Sequence, residues 1–410
     1  MRRIMATTAV LAAICSLTFA GDPETDFGAS VRKFSAARYK LAQDLSSRLN
    51  LPLPDQAGAF FRAATTGHWE AVSDHFERVK EQGAYGRPIP QLRNELWAPI
   101  QETMGIWEVW VGWKEDSALL ALFYEPVLSS IPKGSIYFGG TDYGRFVITS
   151  ANETSPTRSI YCITQNALSD PIYAAYLRAT YTNVWVPEQA DIDRAMAQYV
   201  HEVEAGIRSN SDDTVITAGR VRKWGVMGVM ALHGIISQMT FEHNKASHSF
   251  FVEESYVLDW MYPYLEPCGL IMKLNTTPMQ SLPKEAISRD QAFWTDCVDR
   301  LEKHEGFAGN QEARQAFSKL RSAIAGLYAY RKLFAQSEAA FQQAIRLCPS
   351  SPEANFRFAE LCEEHGQPDR AIRTMEEFLP LAPMGSTRQA EDYIRYLKEQ
   401  VQNQPSNRTR

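Results

Sequence analysis

The sequence predicts an α/β centre with a mostly parallel sheet, preceded by a helical segment and followed by an all-helical repeat region. Three observations carry that prediction. Before residue 125, apolar residues recur every three or four positions, the spacing of a buried helix face. Between 126 and 280, short β-type runs alternate with helical stretches, the pattern of strands crossed over by helices. Near the C-terminus, two stretches match at an offset of 34 residues.

The helical segment, 21–125, starts with a polar stretch and then an amphipathic helix carrying Val31, Phe34, Ala37, Leu41 and Leu45. Leu51-Pro-Leu-Pro54 breaks it, because proline lacks the amide that a helix interior needs. Phe60, Phe61 and Ala63, then Gly67, then Trp69, Ala71, Val72 and Phe76 read as helix–turn–helix. Leu92 to Val111 reads as a further helix. Its Trp97, Trp107 and Trp110 are core aromatics rather than a ligand site.

In the α/β part, Ser135–Phe138 is the first strand and Ile160–Thr164 the second. A helix follows from Asp170 to about Tyr181, with an acid at the N-cap and Pro171 at the first helical position. Residues 188–208 and 226–239 read as helices, Ser249–Val252 as the third strand and Gly269–Leu274 as the fourth. A proline-marked linker, 275–282, leads to a helical domain at 285–402. That domain comprises a first helix (285–305), two repeats (316–349 and 350–383) and a capping helix (387–402). The polar end, 403–410, is expected to be disordered.

The N-terminus carries Arg2 and Arg3, a short apolar run from Ile4 to Phe19, and small residues Thr18 and Ala20 around a cleavage position. This predicts a signal peptide at 1–20, with an uncleaved anchor as the alternative, and an exported protein, periplasmic or extracellular. The net charge of −6 would become −8 on losing those two arginines. A mildly acidic chain lacks the electrostatic footprint of a nucleic-acid binder. No later segment is apolar for long enough to span a membrane, so none is expected in the mature chain. Cys162, Cys268, Cys297, Cys348 and Cys362 form no metal-site or disulfide-scaffold spacing, and burial as thiols is the expectation. His243 and His248 make no metal pattern, so no metal or cofactor is expected.

One group of residues could bind a ligand. Gly139, Gly140, Thr141, Asp142 and Arg145 follow the first strand, where open α/β sheets take ligands. Asp142 suits sugar hydroxyls and Arg145 an anion; a plain β–α turn capped by Asp142 is the alternative. Gln165 and Asn166 occupy the equivalent place after the second strand. Glu253 and Glu254 form an acidic pair, but adjacent residues on an extended segment face opposite ways, which argues against paired acid–base work. No nucleophile signature is present, so the chain leans away from catalysis.

In the repeats, Ile324, Ala325, Tyr328, Phe341, Ala344 and Pro349 align with Phe358, Ala359, Cys362, Met375, Phe378 and Pro383. With Ala371 in the second unit, this resembles the tetratricopeptide repeat, although Ser337 stands where that pattern prefers alanine. The resemblance implies stacked helical hairpins that present a groove to a protein partner. Separately, Ile131–Arg145 and Phe250–Leu274 resemble the soluble C-terminal domain of uncharacterised bacterial membrane proteins grouped with protein O-mannosyltransferase-like glycosyltransferases. That resemblance implies an extracytoplasmic α/β domain and a glycan as a second candidate ligand. The membrane part taken to carry the chemistry has no counterpart here, so the activity does not transfer. The leading expectation is an exported scaffold or adaptor; a glycosylation-associated accessory protein comes second, and an unrecognised hydrolase or transferase third.

Overall fold

A computed structural model describes residues 27–403 apart from 83–87, 91, 141–143, 156–158, 209–213, 218 and 254–257. The signal peptide expected at 1–20 and the tail at 404–410 therefore lie outside the described residues; residue 403 is still helical.

The chain opens with helices α1 (Phe27–Leu49), α2 (Asp55–Thr66) and α3 (Trp69–Val79). The face that α1 buries is Val31, Phe34, Arg38, Ala42 and Leu45. Ala37, expected inside, is exposed, and an arginine takes its place on the buried stripe. A small antiparallel pair follows, β1 (Lys80–Gln82) and β2 (Pro88–Pro90). Helix α4 (Trp97–Gly112) starts five residues later than the apolar pattern does, after Leu92 and Leu96 have packed as buried loop residues.

Helix α5 (Ser117–Ser130) was not legible in the sequence. Asp116 caps it by accepting from the Leu119 amide at 2.9 Å, and Pro126 sits inside it. The expected boundary at 125/126 therefore falls within a helix.

The central sheet has the order β4-β3-β7-β9-β8. Its strands are β3 (Ile136–Gly139), β4 (Tyr161–Thr164), β7 (Phe250–Glu253), β8 (Leu265–Cys268) and β9 (Ile271–Leu274). Between them lie α6 (Gly144–Thr154), α7 (Pro171–Thr180), α8 (Gln189–Glu204), the hairpin β5 (Val215–Thr217) and β6 (Arg220–Lys223), and α9 (Val226–Asn244). Strand β3 runs parallel to β4 and β7, with Ile136 opposite both Tyr161 and Phe250. Strands β7, β9 and β8 run antiparallel, with Leu274 opposite Phe250 and Leu265.

The sheet is thus mixed, which corrects the expectation of a mostly parallel one. A parallel neighbour needs a long crossover. After β7 the chain instead makes a short 3-10 turn at Asp259–Tyr264 and a tight hairpin. Gly269, read from sequence as the start of a strand, turns that hairpin with φ +66°. Every residue of β3 and β7 is buried, as expected of strands covered on both faces.

The expected linker at 275–282 is packed down: the Met279 amide donates to the Pro263 carbonyl at 2.8 Å and Leu282 is buried. Six α-helices complete the described residues: α10 (Lys284–Lys303), α11 (Gln311–Tyr330), α12 (Phe334–Leu347), α13 (Pro352–Glu364), α14 (Pro368–Phe378) and α15 (Met384–Asn403). Helix α11 packs on α12 and α13, α13 on α14, and α14 on α15.

The turns of the two hairpins repeat at the sequence offset. Each helix ends with a residue at positive φ, Lys332 (58°) after α11 and Gly366 (68°) after α13. In each, the next amide reaches back to a carbonyl five residues earlier, Leu333 to Tyr328 and Gln367 to Cys362, both at 2.9 Å. One cluster of buried apolar side chains reaches from Phe27 to Leu397. Among the described residues, no helix is long and apolar enough to cross a membrane.

Candidate functional site

Two places have the makings of a site: the carboxyl end of the parallel strands, and the junction of the C-terminal helical hairpins. They are built in opposite ways.

At the sheet end, strand order reverses between β3 and β7, the position where such sheets open a crevice. Gly139, Gly140, Arg145, Gln165 and Asn166 gather near the ends of β3 and β4. Thr141, Asp142 and Glu254 lie outside the described residues. Gly139 is required by close approach, since a β-carbon there would stand 2.7 Å from that of Arg145. Arg145 donates through Nη1 to Thr164 Oγ1 and lies over the Phe146 ring, 4.2 Å from its centroid. Burial lowers its pKa, and Tyr173 and Glu102 oppose that. The Thr164 amide donates to Tyr173 Oη at 2.9 Å, and Gln165 is fully buried in a 3-10 turn.

Glu253 is the functional-looking carboxylate here, and the fold uses it. It accepts from Tyr137 Oη and is 5% exposed. Its Oε1 lies where a β-carbon on Gly144 would come within 1.9 Å, at the start of α6. A carboxylate there complements the positive end of the helix. It fills the spot that an incoming anion would take.

Behind this lies a polar core that the sequence reading missed. Arg38 of α1 pairs with Glu102 of α4 at 2.6 Å and with Glu153 of α6. Tyr176 Oη donates to both Glu102 oxygens, at 3.2 and 3.1 Å. Burial raises the Glu153 pKa; Arg38 pulls it down, and Glu102 adds to the rise. The signal was available, because the spacing 31, 34, 38, 42, 45 is a cleaner helical stripe than one through Ala37. A charge on that stripe implies a buried partner.

The cavity among Glu102, Tyr137, Arg145, Cys162 and Tyr173 measures about 10 Å³. That is room for one water, far below the several hundred Å³ of a usual ligand pocket. Burial pushes the Cys162 thiol up to about 12, so it is no nucleophile near neutral pH.

The helical end is open instead. Ala325, Tyr328, Phe341, Ala344, Ala359, Ala371, Met375 and Phe378 are buried. Pro349 is half-buried and Pro383 exposed, each just beyond a helix end. Ser337 is fully buried and satisfied, donating to the Ala325 carbonyl at 2.9 Å. Asp290 of α10 ties this end together. It takes Arg321 Nη1 at 2.8 Å and Tyr328 Oη at 2.7 Å, while Arg321 Nε donates to Gln343 at 2.8 Å.

Where α12, α13 and α14 meet there is a cavity of about 210 Å³. Phe334, Phe358 and Leu361 give it apolar walls, with His365 at the edge. The Phe334 and His365 rings approach to 3.6 Å, and Phe334 keeps 39% of its surface in solvent. Arg370 bridges to Glu338 at 2.7 Å, and that bond lowers the Glu338 pKa. The site suits one large apolar side chain, offered beside a polar backbone.

The histidines are structural. His243 stacks on Trp185 at 3.9 Å, and His248 bonds the carbonyls of Gly134 and Asn183 at 2.6 and 3.0 Å. Among the described residues, no cluster of three His, Cys, Asp or Glu is placed to hold a metal. Neither family models nor curated proteins match the chain.

Proposed function

We propose that this is an exported, non-catalytic adaptor that binds a partner protein through tetratricopeptide-like hairpins at 316–383. The cavity of about 210 Å³ between α12, α13 and α14 carries the reading, because it is apolar, open and next to an exposed phenylalanine. Helical hairpins that share a core with neighbours commonly offer such a face to a peptide. The turn geometry recurring at Lys332 and Gly366 supports a repeat origin for the two hairpins. On this reading residues 1–20 direct export, and the helical segment and α/β part form the platform. The resemblance to glycosyltransferase-associated domains then concerns location rather than chemistry. The glycan alternative has weaker support, since the described part of the sheet-end crevice has room for one water.

The test is affinity capture from the native envelope with the full chain and with Ala335→Glu, which places a charge at the cavity mouth on an exposed position. A partner recovered by the first and lost by the second supports the adaptor. Identical partner sets for both chains would sink it.

A further inference from the structure

The far end of the α8/α9 hairpin carries a second surface, independent of the helical cavity. Tyr199, late in α8, packs on Trp224 at 5.2 Å, and Gly228, early in α9, lies against Tyr199 and Thr214. The Gly225 amide donates to Thr214 Oγ1 at 2.8 Å. These contacts bring the end of α8, the β5–β6 hairpin and the first turn of α9 to one place. Four apolar residues there face solvent: Ile207 (73% exposed), Val215 (45%), Val226 (74%) and Met227 (61%). Exposed apolar side chains on neighbouring elements can form an interaction surface.

The charge beside them is basic. Strand β6 reads Arg220-Val-Arg-Lys223, and its three cations are exposed. Among the described residues Arg220 and Arg222 have no acidic partner, while nearby Arg208 is held by Glu202 at 2.6 Å. Asp212 and Asp213 lie outside the described residues. In a chain of net charge −6, arginines with no acidic partner among the described residues, beside protruding valine and methionine, complement a surface that is anionic above and apolar beneath. We propose that this end docks peripherally on an anionic lipid surface, with Val226 and Met227 entering the headgroup layer and Arg220 and Arg222 binding lipid phosphates.

The experiment is hydrogen exchange read by mass spectrometry, on the full chain with and without vesicles. One vesicle holds phosphatidylglycerol and phosphatidylcholine in equal parts, the other phosphatidylcholine alone. The account expects slowed exchange in peptides covering 220–230 with the anionic vesicles only. Arg220→Gln and Arg222→Gln should each raise the lipid needed for half-protection roughly fivefold. Val226→Ser with Met227→Ser, both at exposed positions, should abolish the protection. Unchanged exchange, equal protection on phosphatidylcholine, or protection that survives the arginine changes overturns the proposal. Protection that needs no lipid and grows with protein concentration assigns the face to a second copy, and also overturns it.

Discussion

The sheet end and the helical end differ in what their side chains have left over. At the sheet end, Glu253 is held by Tyr137 and packs against Gly144 at the start of α6, Arg145 is held by Thr164, and Arg38 by two glutamates. Arg145 and Glu253, which look like site residues in the sequence, are each bonded to a neighbouring side chain, and the described cavity beside Arg145 measures about 10 Å³. At the helical end a polar network is buried at Asp290 and Arg321, and a separate cavity of about 210 Å³ with apolar walls stays open between α12, α13 and α14. Glycines and charges beside a strand mark a place where a backbone must turn and a helix must be capped. Free volume marks a place where something can bind.

The largest expected effect lies in the buried ion pairs at both ends. Asp290→Ala strands Arg321, which is 1% exposed, and Arg38→Ala strands Glu102 and Glu153. Each should cost about 3–5 kcal/mol in denaturant unfolding. A loss below about 1 kcal/mol for Arg38→Ala would break the comparison, because the sheet-end charges would then be free for another role.

Next is Gly144→Ala, whose methyl would meet Glu253 Oε1 at 1.9 Å and Phe123 at 2.7 Å. The cost should be about 1–3 kcal/mol, and Glu253→Gln, which carries the same bulk without the charge, should not relieve it. A neutral Gly144→Ala would mean that the crevice has room to spare.

The two hairpin turns make a smaller, internal test. Gly366→Ala forces a β-carbon into positive φ and should destabilise by about 1 kcal/mol. Lys332→Gly relieves the same strain in the equivalent turn and should stabilise by up to about 1 kcal/mol. Opposite signs at the paired positions sharpen the case that the turns are equivalent.

Last is the pH dependence at Glu153. Its pKa is raised in the folded chain, chiefly by burial, above the ordinary 4.5. The unfolded chain therefore loses this proton first, so its contribution to stability is present below about 4.5 and is lost as pH rises through the folded value. The wild-type unfolding free energy should fall over that window relative to Glu153→Gln, which has no proton to lose there.

Much of the fold was legible in the sequence because its elements announce themselves locally. The helical spacing of α1 and the Asp170-Pro171 start of α7 each rest on neighbouring residues. The mixed sheet was not legible, because strand direction depends on what the chain does between strands. Helix α5 was hidden by Pro126, which reads as a breaker yet is carried inside it. Gly139, Gly140, Arg145, Gln165 and Asn166 lie near the carboxyl ends of β3 and β4. The pairing in the polar core behind them was not legible, because Arg38 and Glu102 lie far apart in the sequence and only folding brings the two charges together. The helical cavity gave no motif at all, since empty space has no residue to name it.

The most direct measurement is the dissociation constant of the captured partner for three full-length chains: wild type, Phe334→Ser and Arg145→Gln. The account predicts at least a tenfold loss for Phe334→Ser, in line with truncating an anchoring aromatic contact, and no change for Arg145→Gln. Unaltered binding by Phe334→Ser together with lost binding by Arg145→Gln would contradict it.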